Sequence, residues 1–235
     1  MTDTTSAYGP LDFARDSGVP RETLSRCSKY VDLLLEWNER LNLVAPSTLT
    51  DVWRRHMWDS AQLLPLIPPH ARTIVDLGSG AGFPGMVLAI CLSHPPPRAG
   101  EDDRAKRDPE RGSLTVHLID STQKKCRFLE AVAEATGAPV KVHWARAEDL
   151  KGIKADVVTA RAVAPLARLF PLAHPFFGPA TIGLFLKGRS LNDELTLAAK
   201  SWRLDATPIP SRSDPSGFVL RVTGLTPWRR SRKPF

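Results

Sequence analysis

The chain has 235 residues, of which 42% are hydrophobic and 24% charged, so it can bury a core and is too apolar for a disordered tail. Lys and Arg number 32 against 25 Asp and Glu, a net charge of +7 that points to a polyanionic partner without fixing a fold. Three cysteines (Cys27, Cys91, Cys126) without CxxC spacing argue against a disulfide framework or a zinc site and fit a reducing cytoplasm, and no apolar stretch marks a signal peptide or a membrane span.

Residues 1–20 show no periodicity and are expected to be flexible. From Arg21 the apolar positions Leu24, Cys27, Val31, Leu34 and Leu41 recur at helical steps, which predicts a helix closed by Pro46 and Ser47. A second helix is expected from an N-cap near Thr50 or Asp51 to about Leu64, where Pro65 stops it. Residues 21–70 therefore read as an N-terminal helical module. The register changes after Ala71. Strands are expected over 73–77, 114–119, 140–144, 155–159, 181–186 and 217–222, alternating with helices over 84–92, 123–136, 165–170 and 191–200. This alternation predicts an α/β domain over 71–225 with a doubly wound, mostly parallel sheet. Residues 94–113 interrupt it with four prolines, five positive and five negative charges, and read as a disordered surface insertion. Residues 226–235 form a basic tail containing Arg229, Arg230, Arg232 and Lys233.

The sharpest signal is DLGSGAGFPG over residues 76–85, a glycine-rich turn between an apolar strand and an apolar helix. Glycines there let the backbone turn tightly and approach a ligand. Residues 80–85 satisfy GxGxxG, which by itself does not separate a dinucleotide from another nucleotide-like ligand. Asp76, ending the strand before the first glycine, is poorly placed for a pyrophosphate and suits the amino group of an amino-acid ligand. Pro84 removes an N–H that a phosphate would want. A second acid, Asp120, ends the next strand, where a carboxylate can accept ribose hydroxyls. Two acids, a glycine turn and no phosphate-binding Lys favour S-adenosylmethionine over NAD.

Ordered motifs over roughly residues 30–190 resemble a known family. They are Trp37-Asn38 with Leu41-Asn42-Leu43, Arg55-His56, Asp59-Ser60, the 76–85 turn, Asp120-Ser121 with residues 124–129, Arg146-Ala147-Glu148, Ala160-Arg161-Ala162 and Leu186-Lys187-Gly188. Together they resemble the bacterial 16S rRNA guanine-N7 methyltransferases, the RsmG family, also called glucose-inhibited division protein B. The resemblance implies a Rossmann-like S-adenosylmethionine methyltransferase sheet. It further implies that Gly78 and Phe83 contact the cofactor, that Ala147 and Glu148 flank its adenine, and that Arg161 lines the pocket beside them. With Asp76, Gly80, Asp120 and Ser121 these make the expected cofactor set.

On an ideal α-helical wheel Arg55, His56, Asp59 and Ser60 form a compact polar edge beside a broad apolar face. That edge is either a functional surface or an i,i+4 surface pair, and the family match favours function. Lys124, Lys125 and Arg127 open a helix where cations oppose the macrodipole, so RNA phosphate contacts explain them better than local stability. Lys187 extends the same face. RNA binding is thus expected from Arg55, His56, Lys124, Lys125, Arg127 and Lys187, and substrate positioning from His56, Lys124, Arg127 and Arg161. Guanine N7 carries a lone pair and no proton, so no general base is required. A cytoplasmic monomer acting on 16S rRNA or the small ribosomal subunit, without metal or membrane, is expected. An NAD-linked oxidoreductase and a noncatalytic RNA-binding assembly factor are the alternatives.

Overall fold

The computed structural model describes residues 8–93 and 113–228; the expected insertion, apart from Ser113, and the tail from Arg229 lie outside them. The expectation of a flexible first segment is corrected over residues 8–20. Helix α1 (Pro10–Ser17) starts with Pro at its first turn, where the missing N–H costs nothing, and stops at Gly18, whose φ of 69° is left-handed. Its Asp12 side chain accepts from the Gly9 N–H at 2.9 Å. Phe13 is fully buried and meets Trp53 at a ring separation of 5.4 Å, so this short helix is held by packing and not by propensity.

Helix α2 (Arg21–Leu41) starts where predicted, stops before Pro46 and Ser47, and buries Cys27, Tyr30, Val31, Leu34 and Asn38 on one face. It ends at Asn42 in the left-handed conformation, and the Asn38 side chain accepts from the Val44 N–H at 2.8 Å to hold the exit turn. The second predicted helix is present in altered form. A 3₁₀ turn (Pro46–Asp51) leads into a π-helical segment (Trp53–Trp58), then α3 (Asp59–Ala61) and a final 3₁₀ turn (Leu64–Leu66). The Asp59 N–H reaches back to the Arg54 carbonyl, an i→i−5 bond that turns the ideal wheel out of phase.

The sheet contains β1 (Thr73–Leu77), β2 (Thr115–Asp120), β3 (Val140–Trp144), β4 (Val157–Arg161), β5 (Ile182–Lys187), β6 (Trp202–Pro210) and β7 (Phe218–Pro227). Their spatial order is β3-β2-β1-β4-β5-β7-β6; the first five are parallel, and β7 runs antiparallel to both β5 and β6. Helices α4 (Gly85–Ser93) and α5 (Gln123–Thr136) cover one face together with α2, whereas α6 (Leu166–Ala173) and α7 (Leu191–Ala198) cover the other. Strand order reverses between β1 and β4, which in open α/β sheets is where a crevice forms at the carboxyl ends. The helical module shares one continuous core with the sheet, in which Phe13, Tyr30 and Leu34 join Ile74, Leu118 and Leu184. Residue 70 thus marks a change of secondary structure and not a break in the core.

Strand β6 escaped the sequence pattern. It is the outermost strand, mostly exposed, and contains Pro208 and Pro210, which a sheet tolerates at an edge. Strand β4 begins two residues later than expected because the Asp156 carboxylate accepts from the Arg72 and Thr73 N–H groups at 2.7 and 2.9 Å just before it. One glycine is required by close approach: a Cβ on Gly85 would lie 2.6 Å from the Asp76 Cβ, so only Gly lets α4 sit this close to β1. Replacing Phe13 with Ala should cost about 3–5 kcal/mol in urea unfolding. An unchanged unfolding midpoint would show that α1 adds nothing to the common core.

Candidate active site

Two adjacent hollows open at the carboxyl ends of the parallel strands. The first, of about 230 Å³, is lined by Gly78 after β1, Asp120 and Ser121 at the end of β2, Ala147 and Glu148 after β3, and Val163 after β4. Local bonds fix this wall. The Gly80 N–H donates to Asp120 Oδ2 at 2.9 Å and the Thr122 N–H to Oδ1 at 2.8 Å, so the glycine turn, β2 and the start of α5 hang on one carboxylate. Each oxygen keeps a second lone pair for a ligand hydroxyl. Ser79 clamps the same junction: its hydroxyl donates to the Asp76 carbonyl at 3.0 Å and accepts from the Ile119 N–H at 3.2 Å. Gly78 has a φ of 60°, and a Cβ there would come within 2.8 Å of Val163. Acidic acceptors beside small and apolar walls (Ala147, Leu77, Leu172) suit a ribose and a flat aromatic base.

The second hollow, a cleft of about 270 Å³, is lined by Arg161 at the end of β4 and Ala162 after it, Lys187 at the end of β5, Asp59 from α3, and Asp214 and Phe218 around the β6–β7 loop. Arg161 is its most constrained group. Its guanidinium donates to the Arg55 carbonyl at 3.0 Å, to Asp59 Oδ2 at 3.2 Å and to His56 Nδ1 at 2.9 Å, and lies 4.8 Å above the Phe83 ring. Phe83 also stacks on His56 and Tyr30, and the Tyr30 hydroxyl donates to the Ala81 carbonyl of the glycine turn. A guanidinium cannot accept a hydrogen bond, so His56 Nδ1 must be the acceptor and its proton sits on Nε2. Nε2 meets the Thr48 hydroxyl at 2.8 Å, while that hydroxyl gives its own proton to the Ala45 carbonyl. Burial and the charges of Arg161 and Arg55 push the imidazole down to about 3, so His56 is neutral.

The loop carrying Asp214 is anchored to the helical module. Asp59 Oδ1 accepts from the Ser213 hydroxyl at 2.5 Å, and Gln62 receives the Arg212 N–H at 2.8 Å while its amide donates to Ser211 and Ser213. Arg212 in turn lies 5.0 Å over the Trp58 ring.

Residues 23–96 and 109–211 match the family model described as rRNA small subunit methyltransferase G. Ribosomal RNA small subunit methyltransferase G from Parvibaculum lavamentivorans is 51% identical over 91% of this chain and 88% of its own length. Its counterpart in Paramagnetospirillum magneticum is 48% identical over 91% and 95%. The chain belongs to this family. Among solved structures, an O-methyltransferase from Bacillus cereus aligns with a TM-score of 0.53 at 14% identity, covering 90% of this chain and 95% of its own. A SAM-dependent methyltransferase from Aquifex aeolicus aligns at 0.51 and 15% identity, covering 77% and 95%. The fold is therefore the Rossmann-like fold of S-adenosylmethionine-dependent methyltransferases.

Within this methyltransferase the structure redistributes several expected residues. Gly78, Asp120, Ser121, Ala147 and Glu148 meet around one cavity, and Gly80 reaches it through Asp120. Asp76 does not line that cavity: it is fully buried behind the turn, with Oδ1 accepting from the Thr159 hydroxyl at 2.7 Å and no partner for Oδ2 among the described residues. Burial raises its carboxyl to about 6. Phe83 is likewise interior, and Arg161 lines the neighbouring cleft instead of the first cavity. His56, expected at a polar edge, is only 7% exposed with both ring nitrogens engaged, because the π-helical turn rotates it inward; it positions Arg161 and has no nitrogen left for RNA. Lys187 is tied down too, 2.6 Å from Glu194 and donating to the Ala164 carbonyl. Lys124 and Arg127 are exposed and Lys125 is partly so; they line neither hollow and make no side-chain ion pair among the described residues, so they flank the site without joining Arg161. Arg55 is exposed, and its carbonyl, not its side chain, holds Arg161.

The sequence reading missed Ser79, Gln62 and the 211–217 loop. Ser79 stands inside the glycine motif and Gln62 within a helix, and nothing in their spacing announces a bond to a loop about 150 residues away. The pH dependence of folding tests the His56 assignment. Its folded value of about 3 lies below the ordinary 6.5, so unfolding takes up a proton and stability is lost as pH falls through that window. Replacing His56 with Gln, which keeps a donor and an acceptor, should flatten the loss between about pH 6.5 and 4.5 in urea titrations. Identical slopes for both proteins would refute a neutral buried imidazole.

Proposed function

We propose that this protein transfers the methyl group of S-adenosylmethionine to N7 of a guanine in 16S rRNA, acting in the cytoplasm on the rRNA or the small subunit. The observation that carries the proposal is the shared wall between the two hollows: Ala162 lines the cleft and its neighbour Val163 lines the cavity. A donor and an acceptor bound on either side of that wall are brought together at the end of β4. Names of the relatives support the small-subunit rRNA, and guanine N7 is what the resemblance to the guanine-N7 family implies.

Gly78, Asp120, Ser121, Ala147 and Glu148 would hold the nucleoside half of the cofactor, with Asp120 accepting ribose hydroxyls on its remaining lone pairs. When bound, S-adenosylmethionine supplies an electrophilic methyl group. The chain then has only to orient guanine N7 toward it, since that nitrogen has no proton to lose. A neutral His56 with both nitrogens committed is compatible with chemistry that needs no base. Arg161 uses three of its five N–H groups within the protein, leaving two to hold the base or its phosphate. Lys124, Arg127 and Arg55 remain as exposed cations for RNA phosphates, with Lys125 partly exposed beside them.

Incubation with tritiated S-adenosylmethionine and small ribosomal subunits should label 16S rRNA, with 7-methylguanosine recovered on digestion. No incorporation at low salt, alongside an active control enzyme, would overturn the proposal. Asp120→Asn should weaken S-adenosylhomocysteine binding by about tenfold, the scale of one charge-assisted hydrogen bond. Arg161→Ala should slow methyl transfer by roughly 10²-fold, as for other preorganised donors, while S-adenosylhomocysteine affinity stays within about threefold. Equal loss of cofactor affinity in both variants would remove the division between cavity and cleft.

A further inference from the structure

Pairing inside the acceptor cleft leaves one charge over. Arg161 is matched by Asp59 at 3.2 Å and Lys187 by Glu194 at 2.6 Å, so both cations on its wall are already neutralised. The third carboxylate, Asp214, is solvent-exposed and makes no ion pair among the described residues, although the charges of Arg55 and Arg189 act on it. Its Oδ1 accepts from the Ser216 N–H at 2.8 Å and from the Ser216 hydroxyl at 2.9 Å, while Oδ2 makes no hydrogen bond among the described residues. Those two bonds, with the charges of Arg55 and Arg189, hold the carboxyl below its usual range, so it is ionised near neutral pH. The loop presenting it is stiff. The Gly217 N–H closes on the Asp214 carbonyl at 2.9 Å, and Asp59 and Gln62 grip Ser211, Arg212 and Ser213 just before it.

A fixed, unpaired carboxylate is an odd feature for a pocket that faces a polyanion, because it repels phosphate. It suits a ligand edge made of N–H donors. Guanine has such an edge, N1–H beside the exocyclic N2 amino group, whereas adenine offers an acceptor at N1 and no amino group at C2. We infer that Asp214 is a specificity-determining residue that accepts from N1–H and the N2 amino group of the acceptor guanine. The inference rests on the guanine methyltransferase reading above and deepens it. N7 belongs to a different edge of the purine, so a base held at N1 and N2 keeps its nucleophile free to face the β4 wall. Methylation at N7 places a positive charge on the ring, and an anion already fixed at the opposite edge stabilises that charge as it forms. Phe218, on the same wall, offers an apolar surface for the base.

The test compares GMP, IMP and AMP binding to protein saturated with S-adenosylhomocysteine, by ligand-observed NMR titration. The wild type should prefer GMP over AMP by about tenfold or more, the discrimination expected of a well-made pair of base-edge hydrogen bonds, with IMP between them because it keeps N1–H and lacks the amino group. Asp214→Asn should bring GMP and AMP within about threefold of each other and raise KM for small subunits more than it lowers kcat. S-adenosylhomocysteine affinity should be unchanged, which separates the effect from misfolding; Asp214→Glu should restore part of the preference. Equal GMP and AMP binding by the wild type, no GMP binding at 10 mM, or an undiminished preference in Asp214→Asn would each overturn the inference. A wild type that prefers GMP yet labels no rRNA would refute the rRNA reading and leave the guanine contact standing.

Discussion

The Arg161 guanidinium is the point on which the rest of the site depends. It joins β4, the π-helical segment, α3 and the glycine turn, through the Arg55 carbonyl, His56, Asp59 and the face of Phe83. Only 18% of its side chain and of its partner's is exposed, so the pair is largely desolvated and its worth lies in geometry more than in net Coulomb energy. A lysine would not replace it. The planar fork can donate in three fixed directions while its flat face rests on an aromatic ring, which an ammonium cannot do. The same cation dictates the state of its neighbour, because an imidazole that must accept from Arg161 cannot carry a second proton. The histidine thus reads as part of the scaffold for an arginine.

Two hollows of different chemistry result from this anchoring. The cavity over β1–β3 is organised by Asp120, whose oxygens each hold one backbone N–H and so set the glycine turn before any ligand arrives. The cleft over β4 and β5 is closed by a loop that Asp59 and Gln62 fasten to the helical module. Asp59 takes part in both attachments, with Oδ2 on Arg161 and Oδ1 on Ser213. The N-terminal helices are therefore not an appendage to the sheet. They supply the residues that hold Arg161 and the loop closing the cleft, and they share the core of the sheet. Preorganisation of this kind suits a transfer in which positioning does most of the work.

How much of this was legible in the sequence follows from which signals are local. Strand–turn–helix units announce themselves by apolar runs and glycines, and α2, β1, β3 and α5 lie where periodicity puts them. Signals fail where geometry departs from the ideal or where the partner is distant. The wheel drawn for residues 50–64 assumed an α-helical turn, and the i→i−5 bond at Asp59 sends His56 inward instead. Strand β6 has the alternation of a two-faced edge and two prolines, which masks it. Helix α1 is too short to be stable alone and exists because Phe13 finds Trp53. Asp76 and Lys187 lie in the expected region, but the burial of the one and the Glu194 pair of the other depend on the assembled fold and leave no local signal.

The charge surplus takes on a different meaning against this structure. Of the net +7, four charges belong to Arg229, Arg230, Arg232 and Lys233, and the 94–113 segment sums to zero, which leaves +3 for the body. Within the body, pairing engages the two cations that line the cleft: Arg161 and Lys187 each face a carboxylate. Cations free to meet phosphate are displaced to the rim, at Arg55 and along the start of α5. Because each neutralised phosphate contributes a fixed increment to the salt dependence of binding, a site built this way relies on a few rim contacts for affinity. On the proposed reading, discrimination falls to the cleft lining, where Asp214 is the carboxylate without an ion pair among the described residues. On that reading, basicity brings the RNA to the protein and an exposed acid on the cleft wall selects the base.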